Sequence, residues 1–223
     1  MSLETQFFLL EDGLKMPLMD LPLRCSAIKT SKGTVVISAT KNISENREKI
    51  LALGEVSAIV APNLFHNLFA GTAKETFPNA KVYAPKGIEK RCPTLKVDTF
   101  LDPATWPFQE ELVMIPLGGM PRFLEYVFLH QATKTLFVTD LCFNLGNPHK
   151  FLGRLLLDMF GTRGRFGVSR LFKSMIWRRR QFRESIEVLL QHDFSRIVMA
   201  HGKVIENKGK FLLTEALKER GLY

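Results

Sequence analysis

Cysteine is scarce in this chain. Three occur among 223 residues, Cys25, Cys92 and Cys142, scattered and odd in number. That excludes a disulfide framework and points to reduced thiols in a cytoplasmic setting; with no CxxC pair, it also excludes a structural zinc knuckle. Long apolar runs are missing as well: no stretch reaches the roughly 18–20 uninterrupted apolar residues of a membrane-spanning helix. Met1–Gly13 carries Glu4, Glu11 and Asp12 and no basic residue, so no secretory signal is expected there. A phosphate-binding loop is absent, because Gly118-Gly119 is followed by neither the Lys nor the Ser/Thr of that motif. No internal repeat or low-complexity linker interrupts the chain. With 46% apolar residues, its length suits one large domain, 1–223, ahead of two small ones.

Acidic residues are missing from one segment in particular. Lys150 to Arg183 holds ten basic residues and a single acid, Asp158, which equals the whole formal net charge of +9. The charge is therefore a local patch on an otherwise neutral chain. Val168, Leu171, Phe172, Met175 and Ile176 fall at helical spacing, and Phe151, Leu155 and Phe160 begin another apolar face. Residues 145–185 are thus expected as a basic helical insert. Arg170, Lys173, Arg178, Arg179, Arg180 and Arg183 form its candidate anion-binding patch. A small anionic substrate or an anionic surface (a membrane, nucleic acid or protein) would suit such a patch, with peripheral membrane association as one form of it. A helical subdomain with its apolar side inward and solvated arginines outward is the plainer alternative. No DNA-recognition motif is present.

The rest of the chain alternates. Short strands are expected at Phe7–Leu10 and Arg24–Ile28, with turns at Asp12-Gly13 and Pro17–Pro22 between them. Thr34–Ser38 reads as a strand. Ser44 to Gly54 follows as a helix, Ser57–Ala61 as a buried strand, the residues up to Glu75 as a short helix, and Lys81–Ala84 as a strand. Further strands are expected at Leu112–Pro116, Glu125–His130, Thr135–Asp140 and Arg196–Ala200. Arg183–Gln191 and Phe211–Arg220 read as helices. That order predicts a layered α/β domain.

Three of these strands end in polar residues: Ile59-Val60-Ala61-Pro62-Asn63-Leu64-Phe65-His66, Leu136-Phe137-Val138-Thr139-Asp140 and Ala200-His201-Gly202. Loops at strand ends are where α/β proteins collect chemistry. Two imidazoles and a carboxylate are the ligand set of open-sided Zn, Fe(II) or Mn sites. His66, Asp140 and His201 are therefore the candidate ligands of one divalent ion. Taken singly, each has a plainer role as a hydrogen-bonded loop residue or a turn cap, which leaves no metal at all as the alternative. Asn63 and Asn67 are candidates for the substrate side of the same site, with backbone capping the plainer role for Asn63.

In this order the segments resemble a known family. Leu136–Asp140 followed by Ala200-His201-Gly202 resembles the second half of the metallo-β-lactamase superfamily, and residues 51–87 resemble a domain-of-unknown-function branch of it. The resemblance implies an αββα sandwich and hydrolase-like chemistry. It also implies losses. Aligned on the last His of the family's H-x-H-x-D-H motif, this chain has Ala61 and Asn63 for the first two imidazoles and Phe65 for the carboxylate, keeping only His66. Gly119 stands where a further His ligand is expected. The resemblance thus implies at most one metal ion, held by His66, Asp140 and His201, and hydrolysis of an ester or phosphoester. Its alternative is a non-catalytic binding module of the same fold whose basic insert holds an anionic partner.

Overall fold

The computed structural model describes residues 5–17 and 19–223. The chain divides into two units, one holding the residues up to Asp12 and Arg24–Met114, the other Gly13–Leu23 and Ile115–Tyr223. Each is built around one sheet.

The first unit carries six strands in sequential order: β1 (Phe7–Lys15), β2 (Asp20–Thr30), β3 (Gly33–Ile37), β4 (Val56–Val60), β5 (Lys81–Ala84) and β6 (Thr99–Phe100). The far ends of β1 and β2 belong to the second unit. Both strands run through the stretch expected as turns. β3 is antiparallel to β2, and β3 to β6 are mutually parallel. Val36 faces Ile59, and Ile59 faces Val82. Side chains on both faces of these strands are buried, which is why they read as unbroken apolar runs and not as alternating ones. The helix expected from Ser44 is shorter than its pattern. Lys41–Asn46 wind as a 3-10 turn, and α1 spans only Arg47–Leu51. The Ser44 hydroxyl bonds Thr76 Oγ1 at 2.8 Å instead of capping a helix. α2 (Ala70–Thr76) leads into β5.

The other sheet carries β12 (Arg196–Met199), β9 (Thr135–Val138), β8 (Tyr126–His130) and β7 (Leu112–Pro116), in that order; β12, β9 and β8 lie in the second unit, and β7 passes into it after Met114. β9 is antiparallel to β8 and parallel to β12. Between residues 145 and 185 the chain is only partly helical. α3 (Phe151–Phe160) and α4 (Arg170–Ser174) flank a short strand, β11 (Phe166–Gly167), which pairs with β10 (Phe143–Asn144). α5 spans Arg179–Gln191 and α6 spans Gly209–Glu219. Among the described residues, no helix is long and apolar enough to cross a membrane.

Cys25 and Cys142 are buried, and Cys92 is partly exposed. Burial pushes the Cys25 thiol up to about 12 from 9.0, against a smaller opposing effect of its backbone hydrogen bond with Thr40. The unfolded chain releases that proton earlier than the folded one. Stability from this group is therefore full below pH 9.0 and falls as pH rises from there towards about 12. A thiol reagent at neutral pH should find Cys92 alone in the native protein and all three cysteines after denaturation. Rapid modification of Cys25 in the folded chain would contradict its burial.

Candidate metal centre

The first unit holds His66. Ile37 pairs with Val60, so β3 and β4 leave the sheet at the same edge. After β4, Asn63 is fully buried. Its Oδ1 accepts the backbone N–H groups of Phe65 and His66, both at 2.8 Å. This is an Asx turn, and it fixes the backbone that carries His66. Asn67 Nδ2 donates to the Leu64 carbonyl at 2.8 Å. The amides of both residues expected on the substrate side thus help to build this loop. Ser38, the residue after β3, has φ +56 and donates its N–H to the Val60 carbonyl at 3.0 Å. Its Oγ lies 2.7 Å from His66 Nδ1. When Nδ1 carries the proton and donates to Ser38, Nε2 is the nitrogen presented for ligation.

The second unit holds Asp140 and His201 side by side. Val138 on β9 faces Met199 on β12, and the strands are parallel. Residues two places further on, Asp140 and His201, therefore emerge together. His201 Nε2 lies 3.4 Å from Asp140 Oδ1. Two ligand atoms at roughly 2.0–2.2 Å from one ion, at a tetrahedral angle, would stand about 3.4 Å apart. His201 Nδ1 donates to the Pro22 carbonyl at 2.8 Å. That bond directs Nε2 towards the carboxylate and sets the ring's tautomer, as outer partners of ligating histidines do. Phe143 stacks on the ring, with centroids 5.5 Å apart and planes 9° from parallel.

Asp140 is held from beneath by Glu125, which is fully buried. Glu125 Oε1 accepts the N–H of Asp140 at 3.0 Å, the N–H of Thr139 at 3.2 Å and the Thr139 hydroxyl at 2.7 Å. Its charge, after burial, also helps to push the Cys142 thiol well above its ordinary value. Glu125, Ser38, Phe143 and the Pro22 carbonyl all escape a reading by motif. The one available signal was Glu125 itself, a lone acid opening the apolar run Val127-Phe128-Leu129.

The positions that differ from the family motif are occupied by structural residues. The Ala61 N–H belongs to the sheet, donating to the Tyr83 carbonyl at 2.9 Å. Phe65 is half exposed, with the Arg91 guanidinium 4.2 Å above its ring. Gly119 has φ +77, and its carbonyl accepts the N–H groups of Trp177 at 2.9 Å and Arg178 at 3.1 Å. A Cβ there would overlap the Arg178 carbonyl. No imidazole fits at this position.

The basic residues expected as one patch serve several ends. Arg170 Nη1 donates to the Met159 carbonyl at 3.0 Å, and Lys173 Nζ to the Arg220 carbonyl at 2.6 Å. Arg180 pairs with Glu184 at 2.9 Å. The backbone of Arg178 is bound to Gly119, as above, while Arg178, Arg179 and Arg183 are exposed.

Residues 5–150 match the family described as a domain of unknown function, DUF4336. No curated protein matches the chain by sequence. Among solved structures, it is similar to a metallo-β-lactamase from Pontibacter korlensis, at 15% identity and a TM-score of 0.66 over 98% of this chain and 96% of that one. It is also similar to a metallo-β-lactamase from Hirschia baltica, at 13% identity and a TM-score of 0.63 over 98% and 95%. The metallo-β-lactamase FIM-1 from Pseudomonas aeruginosa, in its mono-zinc form, gives 13% identity and a TM-score of 0.64 over 97% and 92%. At such identities the likeness is one of fold. The fold is that of the metallo-β-lactamases, as the resemblance in sequence implied.

Proposed function

The chain belongs to the DUF4336 family, and from its metallo-β-lactamase-like fold we propose that it is a hydrolase-like protein holding one divalent metal ion through His66, Asp140 and His201 and cleaving an ester or phosphoester. The observation that carries this reading is the Asp140–His201 pair, 3.4 Å apart, with His201 turned by the Pro22 carbonyl. His66, Asp140 and His201 each offer one ligand atom of a type that holds a metal ion. Two imidazoles and a carboxylate suit zinc, ferrous iron or manganese. A single ion is expected because Ala61, Asn63 and Gly119 supply none of the imidazoles of a second pocket, while Phe65 removes one carboxylate from the pocket that keeps His66, Asp140 and His201. One structure of the same fold is in a mono-zinc form.

A bound divalent ion would supply Lewis-acid polarisation of the substrate oxygen and lower the pKa of a water molecule. The protein's own residues supply order. Glu125 fixes the turn that carries Asp140, Asn63 fixes the turn that carries His66, and Phe143 and Pro22 fix the His201 ring. Pre-oriented ligands lose little entropy on binding, which matters most when there are only three.

The test is turnover. Protein loaded with one equivalent of zinc, manganese or ferrous iron should hydrolyse an aryl ester or a diaryl phosphate. Asp140→Asn should lower that rate by about 100-fold, the scale on which altered metal sites lose function. Fully loaded, folded protein that cleaves neither substrate would shift the reading to a non-catalytic binding module of the same fold. The observation favouring that second reading is Phe65, an aromatic ring under Arg91 where the family motif has a carboxylate.

A further inference from the structure

A surface helix ordinarily turns charge to water, but α3 turns a row of large apolar side chains. At 3.6 residues per turn, Phe151, Leu152, Leu155 and Met159 fall within one arc of about 100°. They are 71%, 54%, 57% and 56% exposed. The other side of the helix is anchored: Leu157 is buried against Met19 and Leu145, with Leu156 packed beside them. α3 is therefore apolar on two sides, one packed and one open. Single exposed apolar residues are ordinary on any surface, whereas a contiguous row of four is a feature to be covered.

Cations frame the row. Arg154 lies on the polar flank of the helix between the two apolar arcs. Arg163 pairs with Asp158 on that flank at 3.0 Å. Arg170 closes the helix's C-terminal end through the Met159 carbonyl, and Lys150 stands at its N-terminal end, 3.6 Å from Asp20. Asn147, Pro148, His149, Arg154 and Arg163 line an open cleft of about 550 Å³. The row of hydrocarbon thus lies beside a cleft that carries two guanidinium groups.

We propose that α3 is a docking surface for an anionic phospholipid bilayer. Phe151, Leu152, Leu155 and Met159 seat among the acyl chains just below the headgroups, and Arg154, Arg163 and the neighbouring basic residues meet the lipid phosphates. Charge decides among the occupants. Nucleic acid would satisfy the cations and leave four apolar side chains uncovered. A second copy of the chain would bring one Lys150–Arg183 segment against another of the same sign. An anionic membrane surface satisfies both features at once, and a helix of this kind lies in the interface without crossing it. None of these residues belongs to the proposed metal site, so the two readings stand or fall separately.

The experiment is co-sedimentation of the 223-residue chain with phosphatidylcholine vesicles, alone or containing phosphatidylglycerol. Partitioning should be at least about tenfold stronger on the anionic vesicles and should weaken as salt is raised. The double variant Phe151→Ser, Leu155→Ser should lose about tenfold or more, with an unchanged melting temperature because both side chains are exposed. Leu152→Ser, Met159→Ser is the second variant, read in the same way should the first fail to fold. Arg154→Gln, Arg163→Gln should weaken binding to the anionic vesicles only. Equal binding to both vesicle types, or binding untouched by the folded apolar variants, would overturn the proposal. So would no vesicle binding together with a dimer, or with capture of polyglutamate, that those variants abolish.

Discussion

His201→Ala should abolish metal binding. In calorimetric titration of metal-free protein with zinc, manganese or ferrous iron, the wild-type chain is expected to take up one equivalent weakly and the variant none. The reason is ligand count and orientation. His201 Nε2 stands 3.4 Å from Asp140 Oδ1, and the ring is turned there by the 2.8 Å bond from Nδ1 to the Pro22 carbonyl. Without it, an imidazole and a carboxylate would have to hold a divalent ion against water. His201 is also buried and stacked on Phe143, so its removal leaves a cavity. Thermal melts separate the two effects. Loss of packing lowers the melting temperature of metal-free protein, whereas loss of the site removes the rise that metal gives to the wild type. Affinity in the wild type should fall as pH is lowered, because protons compete for the same lone pairs. Two equivalents bound at submicromolar affinity, or a variant that binds as well as the wild type, would show that these are not the ligands.

Gly119→Ala should destabilise the fold by about 3–5 kcal/mol, the range of the largest single-residue effects. At roughly 2–4 °C per kcal/mol for a chain of this size, the melting temperature should fall by about 6–20 °C. Two causes act together. The φ of +77 is one that L side chains rarely adopt, and a Cβ would overlap the Arg178 carbonyl with the Phe182 nitrogen 3.1 Å away. Both obstacles are backbone, one at the residue before α5 and one in its first turn, so no side chain can swing aside to make room. Relaxation must instead stretch the bonds that Gly119 accepts from Trp177 and Arg178. Gly119→His, which restores the family's imidazole, should be at least as damaging and should add no second metal equivalent. Gly146→Ala is the control, since nothing lies within 4 Å of a Cβ at that position; its effect should stay within about 0.5 kcal/mol. A Gly119→Ala melt within a degree or two of wild type would show that α5 yields where the geometry says it cannot.

The strands were legible in the amino-acid sequence because of where they lie. β4, β5, β9 and β12 each have a parallel partner and are buried on both faces, and such strands read as short, continuous apolar runs. The polar residue that ends each run is equally plain, which is how His66, Asp140 and His201 stand out. The extent of the helices was less plain. Ser44 has a capping residue's chemistry, yet its hydroxyl goes to Thr76, a partner 32 residues away that no local window contains. The periodicity of the basic segment suggested a helical insert; α3, α4 and the start of α5 lie there, and β11 stands between the first two, pairing with β10. Arg170 and Lys173, expected in an anion-binding patch, also donate to main-chain carbonyls, which local pattern does not reveal.

The sequence alone therefore marked the strand ends and the candidate ligands, because each depends on residue type and on neighbours along the chain. Tertiary structure decided what orients those residues. Pro22 lies 179 residues from the histidine it directs, Glu125 15 from the aspartate it holds, and Ser38 28 from His66. It also decided that Gly119 is required by the backbone of α5, and that the open face of α3 is apolar. A hydrogen bond or a steric limit between distant residues exists only once the chain has brought them together, and local pattern carries no record of that distance.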